Sequence, residues 1–225
     1  MRDILRTLIA EFIGTLALTF VGGASIMTTR GAEGGSGLLI AAFAHGLILA
    51  LMVSAFMKVS AAFNPAVSLG LLVGRVISPV TFAVHLVAQL GGAIVAAMLL
   101  KANMPPEAIE ATRLGGQQVA TAITTGQAIF LEGAATFFLV LTVFGTAVDA
   151  KAPKLGGLLV GLAVTAGILA IGALTGASMN PARTFGPALV SGIWEGHAVY
   201  WIGPLAGGAL AGALYGFLFL DKDPA

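Results

Sequence analysis

Hydrophobic positions along this chain fall in long blocks, not in the two-residue alternation of a half-buried strand or the one-sided stripe of a soluble helix. Six blocks approach the ~20 apolar residues a helix needs to cross a bilayer. They are Thr7–Met27, Gly37–Met57, Pro79–Leu100, Gln127–Val148, Leu155–Leu174 and His197–Leu220. Two shorter stretches, Pro65–Val73 and Pro181–Val190, read as helices that cover only about half the hydrocarbon at ~1.5 Å per residue. Each opens on the same triplet, Asn64-Pro65-Ala66 and Asn180-Pro181-Ala182. Asn is a favoured N-cap and Pro suits the first helical position, so each triplet predicts a helix start. A helix that starts inside a bilayer leaves its first N–H groups unpaired, which is tolerated only beside a polar cavity or within protein. Two such starts predict one cavity built twice, in an all-α polytopic membrane protein of six transmembrane helices and two re-entrant half-helices.

A lone Asn-Pro-Ala is an ordinary turn signal. Here the spacing changes its meaning. Asn64 and Asn180 lie 116 positions apart, and the same offset relates Gly70 to Gly186 and Gly91-Gly92-Ala93 to Gly207-Gly208-Ala209. Glu11, in Ala10-Glu11-Phe12-Ile13-Gly14-Thr15, has its counterpart in Glu132, in Leu131-Glu132-Gly133-Ala134-Ala135-Thr136. Three spans per half is an odd number, so the halves enter the membrane from opposite sides. That is an inverted repeat, a class whose sites lie near the midplane between the repeats. A single domain over 1–225 is expected, with repeats over about 1–101 and 126–225 and a polar linker over 102–125.

Composition narrows the class. Hydrophobic residues make up 58% of the chain and charged ones 9%, against about 25% charged in soluble domains. The 31 glycines fit close helix packing in lipid. A net charge of +1 argues against a nucleic-acid partner, and the absence of Cys excludes disulfide and thiol chemistry. Arg2 and Arg6 precede a first block without a convincing cleavage site, so it reads as a retained span and not a signal peptide. With the N-terminus inside, Arg2, Arg6, Lys58, Arg75, Lys151, Lys154 and Lys222 fall on the inner side. Arg30, Lys101, Arg113 and Arg183 fall outside. Seven against four places both termini in the cytoplasm of a multi-pass protein of the cell membrane. The chain has no nucleophile elbow, P-loop or metal-ligand spacing, so neither an enzyme nor a cofactor or metal is expected.

The polar residues inside the blocks are the candidate chemistry. Glu11 and Glu132 read as satisfied structural carboxylates or as a proton relay, since intramembrane acids are functional candidates by default. The need to pair irregular backbone in lipid favours a supporting role, each accepting N–H groups of a re-entrant loop. His45, deep in the second span, reads as a packing or hydrogen-bonding residue, with no Cys/His cluster around it. His85 and Gln89 share a helix face at i, i+4 and read as anchors for a loop. His197 sits at a membrane edge. Arg183 follows the second triplet directly and reads as a clamp on loop carbonyls, a cavity-lining cation, or both.

Taken together, Ala10–Thr15, Asn64-Pro65-Ala66-Val67, Ala88-Gln89-Leu90-Gly91-Gly92, Glu132 and the run Leu174–Pro187 resemble the aquaporin (major intrinsic protein) family over nearly the whole chain. The resemblance implies an aquaporin fold with a separate pore in each subunit of a homotetramer, and passive permeation of water. It implies a four-residue constriction of His45, Ile168, Ala177 and Arg183. That ring is similar to the one in plant vacuolar-membrane members, where a small residue and Ile leave more room than in a strict water filter. Small neutral solutes such as ammonia or hydrogen peroxide then join water as expected permeants. Thr184 stands where glycerol channels resemble Asp, and Tyr200-Trp201 resembles the aromatic pair of water-type members. The first loop departs from the family pattern. It reads Ser60-Ala61-Ala62-Phe63-Asn64, one residue short and without the usual His, with Lys58 close by. The competing readings are a glycerol or urea facilitator, an ion-coupled secondary transporter using Glu11 or Glu132, and a structural junction protein.

Overall fold

The computed structural model describes residues 2–151 and 155–220. Lys154 and Lys222 of the inner-side charge count lie outside the described residues, as do the ends of the expected domain. The described helices are α1 (Arg2–Thr28), α2 (Ser36–Phe56), α3 (Pro65–Val73), α4 (Pro79–Asn103), α5 (Pro106–Ala111), α6 (Thr125–Val143), α7 (Gly156–Thr175), α8 (Pro181–Ser191) and α9 (Val199–Leu218). A π turn over Phe144–Val148 prolongs α6, and a short 3₁₀ turn over Glu33–Gly35 precedes α2. Among the described residues six helices are long and apolar enough to cross a membrane: α1, α2 with its 3₁₀ turn, α4, α6 with its π turn, α7 and α9.

The apolar blocks locate these spans to within a turn or so. α1 starts at Arg2, not Thr7. Its first turn is exposed and carries an Asp3–Arg6 pair at 3.6 Å, so the helix projects beyond its apolar block. Segment 102–125 is more than a polar linker. It contains α5, and Ala108 and Leu114 pack with Met27 and Leu100 at one end of the α1–α4 pair.

The short helices start as capping chemistry requires. Asn64 and Asn180 are extended (φ −159° and −151°). The Asn64 side chain accepts from Ala66 N, the Asn180 side chain from Ala182 N and Arg183 N, and Pro is the first helical residue in both. α3 has 9 residues and α8 has 11, so neither spans the ~30 Å hydrocarbon core. α1 packs on α4 as α6 packs on α9, and α2 packs on α7 between these pairs. The half-helices cross over: α3 lies against α9, and α8 against α4. Small residues permit the closest approaches. A Cβ on Gly92 would stand 2.3 Å from the Phe12 carbonyl oxygen, and one on Gly207 2.0 Å from that of Gly133. The largest buried apolar cluster among the described residues joins α1, α2, α3, α6, α7 and α9 with Phe63 and Met179 of the two loops, so the core surrounds the place where the half-helices meet.

Candidate functional site

Each loop ahead of a half-helix makes a tight turn that lipid cannot solvate. Phe63 and Met179, directly before the two asparagines, take left-handed backbone (φ 50° and 51°). That turn aims two successive N–H groups at one carboxylate. Glu11 Oε1 accepts from Ala62 N (2.8 Å) and Oε2 from Phe63 N (2.7 Å). Glu132 Oε1 accepts from Ser178 N (2.9 Å) and Oε2 from Met179 N (2.7 Å). Side chains fill the remaining lone pairs. Ser60 Oγ (2.6 Å) and Gln89 Nε2 (2.8 Å) donate to Glu11, and Thr175 Oγ1 (2.7 Å) donates to Glu132.

Around Glu11 the hydrogen bonds close into a ring. Ser60 gives its proton to Glu11, so its oxygen accepts from His85 Nε2 (2.9 Å). Ser68 of α3 meets His85 Nδ1 at 3.0 Å and accepts from Gln89 Nε2 at 2.9 Å. Gln89 returns to Glu11. His85 therefore bridges the loop and the half-helix, and an imidazole from α4 stands beside the short loop that has no His of its own. Lys58 stays exposed in the same loop.

The two asparagines brace each other's loops. Asn64 Nδ2 donates to Met179 O (2.7 Å) and Asn180 Nδ2 donates to Phe63 O (2.9 Å). Each side-chain oxygen is taken by its own helix N-terminus. One amide hydrogen per asparagine is left over. Both residues line a central cavity, together with Leu18, Leu49, Val67, Leu139, Val160 and Val164.

Three cavities follow one another through the bundle. The central one shares His45, Ile168 and Arg183 with a cavity that also touches Thr29, Leu38 and Gly176, here termed the Arg183 mouth. At its other end it shares Ala61, Ala62, Val67 and Val143 with a cavity lined by Ser60, Thr81 and His85, here termed the His85 mouth. The structure thus brings His45, Ile168, Ala177 and Arg183 to one cavity, beside the asparagine pair. Glu11, Glu132 and Gln89 lie behind the loops, fully buried, and line none of the three cavities.

Arg183 is 4% exposed and makes no ion pair among the described residues. Neutral partners hold it. His45 Nδ1 is 2.7 Å from Ala41 O, so that nitrogen carries the proton and Nε2 is the acceptor. Nε2 receives Arg183 Nε at 2.9 Å and faces Nη2 at 2.6 Å. On the other flank stands Gln117. A guanidinium has only donors, so the Gln117 amide turns its oxygen to Arg183, accepting from Nη2 (3.0 Å) and Nη1. Its nitrogen then donates to Thr184 Oγ1 (2.7 Å). Thr184 passes its own proton to Ser178 Oγ, which donates to Asn180 O (2.8 Å). A directed chain runs from the guanidinium to the backbone of the second asparagine. Tyr200 completes the support, its hydroxyl donating to Thr175 O (2.8 Å). His197 stands at the edge of this region, half-buried among Phe185, Trp194 and Trp201, and accepts from Trp201 Nε1 (2.9 Å). Burial lowers its pKa below 6.5.

Gln117, Ser60, Ser68 and Thr175 belong to this arrangement and were not singled out from sequence. Ser68 and Thr184 occupy matching positions, 116 apart, which is a usable signal. For Gln117, in a polar segment outside the repeats, no signal exists.

Six spanning helices around two half-helices that meet end to end define an all-α membrane fold built as an inverted repeat about a central cavity. The chain belongs to the Major intrinsic protein family, which it matches over residues 1–215. Among its relatives, Aquaporin TIP1-2 of Zea mays is 43% identical over 231 residues, covering 99% of this chain and 89% of that protein. Aquaporin TIP4-1 of Arabidopsis thaliana is 42% identical over 230 residues, covering 98% of this chain and 88% of that protein. The fold also matches the X-ray structure of the aquaglyceroporin from Plasmodium falciparum, with a TM-score of 0.82 at 24% identity over 96% of each chain.

Proposed function

We propose that the chain is a passive water channel whose path runs through the three cavities, and that it also passes small neutral solutes such as ammonia and hydrogen peroxide. The observation that carries this reading is the cross-braced asparagine pair lining the central cavity. Two helix N-termini meet there, each worth about +0.5 charge. Each asparagine keeps one amide hydrogen for a passing oxygen. A water molecule held by both turns its own hydrogens away along the path, so its neighbours on the two sides point oppositely and a continuous proton wire is interrupted. The positive field at the centre and the charge of Arg183 oppose cations.

On this reading Asn64, Pro65, Ala66, Asn180, Pro181 and Ala182 form the centre of the path. His45, Ile168, Ala177 and Arg183 form the selective ring, and Glu11, Glu132, His85 and Gln89 are loop supports. Nothing in the assignment calls for catalysis or a cofactor. A proton-coupled transporter needs an acid that meets its substrate, whereas Glu11 and Glu132 lie off the cavities with their oxygens engaged by loop donors. The halves 1–101 and 126–225 act as one domain, joined by 102–125. We further read the protein as a homotetramer in the lipid bilayer of the cell membrane, as its family membership suggests, with both termini cytoplasmic on the seven-to-four bias of basic residues.

Stopped-flow light scattering on proteoliposomes under sorbitol, glycerol, urea and ammonium gradients tests the reading. Water and ammonia permeability should rise well above empty liposomes, with proton leak unchanged. Permeability equal to empty liposomes from a folded protein, or flux that needs a proton gradient, would overturn it. Native mass spectrometry checks the tetramer.

A further inference from the structure

α1 runs alongside the path. Leu18 lines the central cavity and Ile26 lines the Arg183 mouth. Gly22 stands midway, four residues from each and therefore on the same helix face, yet it lines neither cavity. Its place is filled by the His45 imidazole. A Cβ on Gly22 would stand 2.1 Å from Nε2, 2.4 Å from Cδ2 and 2.7 Å from Cε1 of that ring. Real Cβ atoms do not approach so closely, so any side chain at 22 must move the ring. The ring has one direction to go. Nδ1 is tied to Ala41 O of its own helix, α1 is behind it, and both cavities that it lines are in front. The atom that a Cβ would strike first is also the acceptor that holds Arg183.

We propose that Gly22 is a specificity-determining residue of the path. It is a recess in α1 that lets His45 lie back along the wall and draw Arg183 with it, which keeps the ring open. The inference rests on the ring assigned above and adds a residue that touches no permeant. Gly23, the next residue, marks the contrast. A Cβ there would press on Leu100 Cδ1 at 2.7 Å, the end of a flexible side chain that lines none of the three cavities, and otherwise reach Leu114 O at an ordinary 4.0 Å.

Water and ammonia permeability of Gly22→Ala, His45→Ala, the double variant and Gly23→Ala, per assembled channel in proteoliposomes, tests it. Gly22→Ala should lower water flux at least threefold and ammonia flux further, so that the ammonia-to-water ratio falls. In the His45→Ala background the same change should move either flux less than 1.5-fold, because no ring remains to be displaced. Gly23→Ala should leave the ratio unchanged. Should Gly22→Ala fail to assemble, the double variant should assemble and conduct; its failure would overturn the inference. Equal losses in both backgrounds, or an unaltered ratio in Gly22→Ala, would do the same. A wild-type protein that conducts no water would instead remove the channel reading itself.

Discussion

The loop before α3 and the loop before α8 end in the same backbone conformation and reach it with different side chains. Each puts a large apolar residue at positive φ before its asparagine, and each gives two successive N–H groups to a buried carboxylate. Beyond that they diverge. The first loop is tied into the Ser60–His85–Ser68–Gln89 ring, the second into Thr175, Tyr200 and the chain through Gln117. The carboxylate and the cap set the turn. The residues outside that shared part decide what each mouth presents, and among the described residues only the Arg183 mouth presents a buried guanidinium. A symmetric frame thus carries two unlike mouths.

The hardest way to break the symmetry is to remove a carboxylate. Glu11→Ala strands four donors and Glu132→Ala three. At ~1–3 kcal/mol for each buried unsatisfied group, either change should cost several kcal/mol, with Glu11→Ala the larger. Thermal melting in detergent, paired with liposome water flux, should show both variants strongly destabilised and close to background conductance. A wild-type melting curve for either would detach its loop from the carboxylate.

Next in size is the pair that joins the halves. Asn64→Asp or Asn180→Asp replaces a donor by an acceptor that faces a carbonyl, Met179 O or Phe63 O. Water flux should drop roughly tenfold or a cation leak should open, to a similar degree in both variants because the brace is reciprocal. Unchanged water flux and proton exclusion in both would take the asparagines out of the path.

Arg183→Val addresses one mouth alone. Urea and ammonia permeability should rise and cation exclusion should weaken, with water flux kept or raised. Ser60→Ala, at the other mouth, should leave those selectivities as they were. If Arg183→Val altered no permeability, the ring would have to be reassigned.

The smallest effect is expected at His197, beside Phe185, Trp194 and Trp201. Burial holds the His197 pKa below 6.5, so as pH falls below that value the unfolded chain binds the proton before the folded one does. Stability is lost through that window, and His197→Phe should shallow the loss. Melting temperatures of both proteins between pH 7 and 5 measure the difference. Parallel curves would remove His197 as a contributor.

How much could be read beforehand follows from where each signal resides. Span positions come from local hydropathy, and the half-helix starts from Asn-Pro capping chemistry, both of which act within a few residues. Glu11 and Glu132 stood out because a carboxylate inside an apolar block needs donors, and a re-entrant loop is short of acceptors. His85 and Gln89 announced themselves as polar groups on one helix face. Gln117 could not be found this way. It is a polar residue in a polar segment, and contacts far along the chain fold that segment back over the bundle: Leu114 against Met27 and Leu100, Arg113 to Glu195 at 2.9 Å, and Ala120 N donating to Leu174 O at 2.8 Å. The recess at Gly22 was equally silent, since its meaning is the volume of a ring 23 residues away.

The reciprocal brace between the asparagines also orders events during synthesis. When the ribosome has released the first half, the carbonyl of Met179 does not yet exist, and the Asn64 amide and the Phe63 carbonyl have no partner. Until α8 is in place the first loop therefore lacks that part of its support. The brace needs both halves, because each supplies the acceptor that the other lacks. The same reciprocity looks backwards in time. A half-length ancestor paired head to tail with an inverted copy of itself would have satisfied both bonds, so duplication and fusion needed to invent no new contact at the centre.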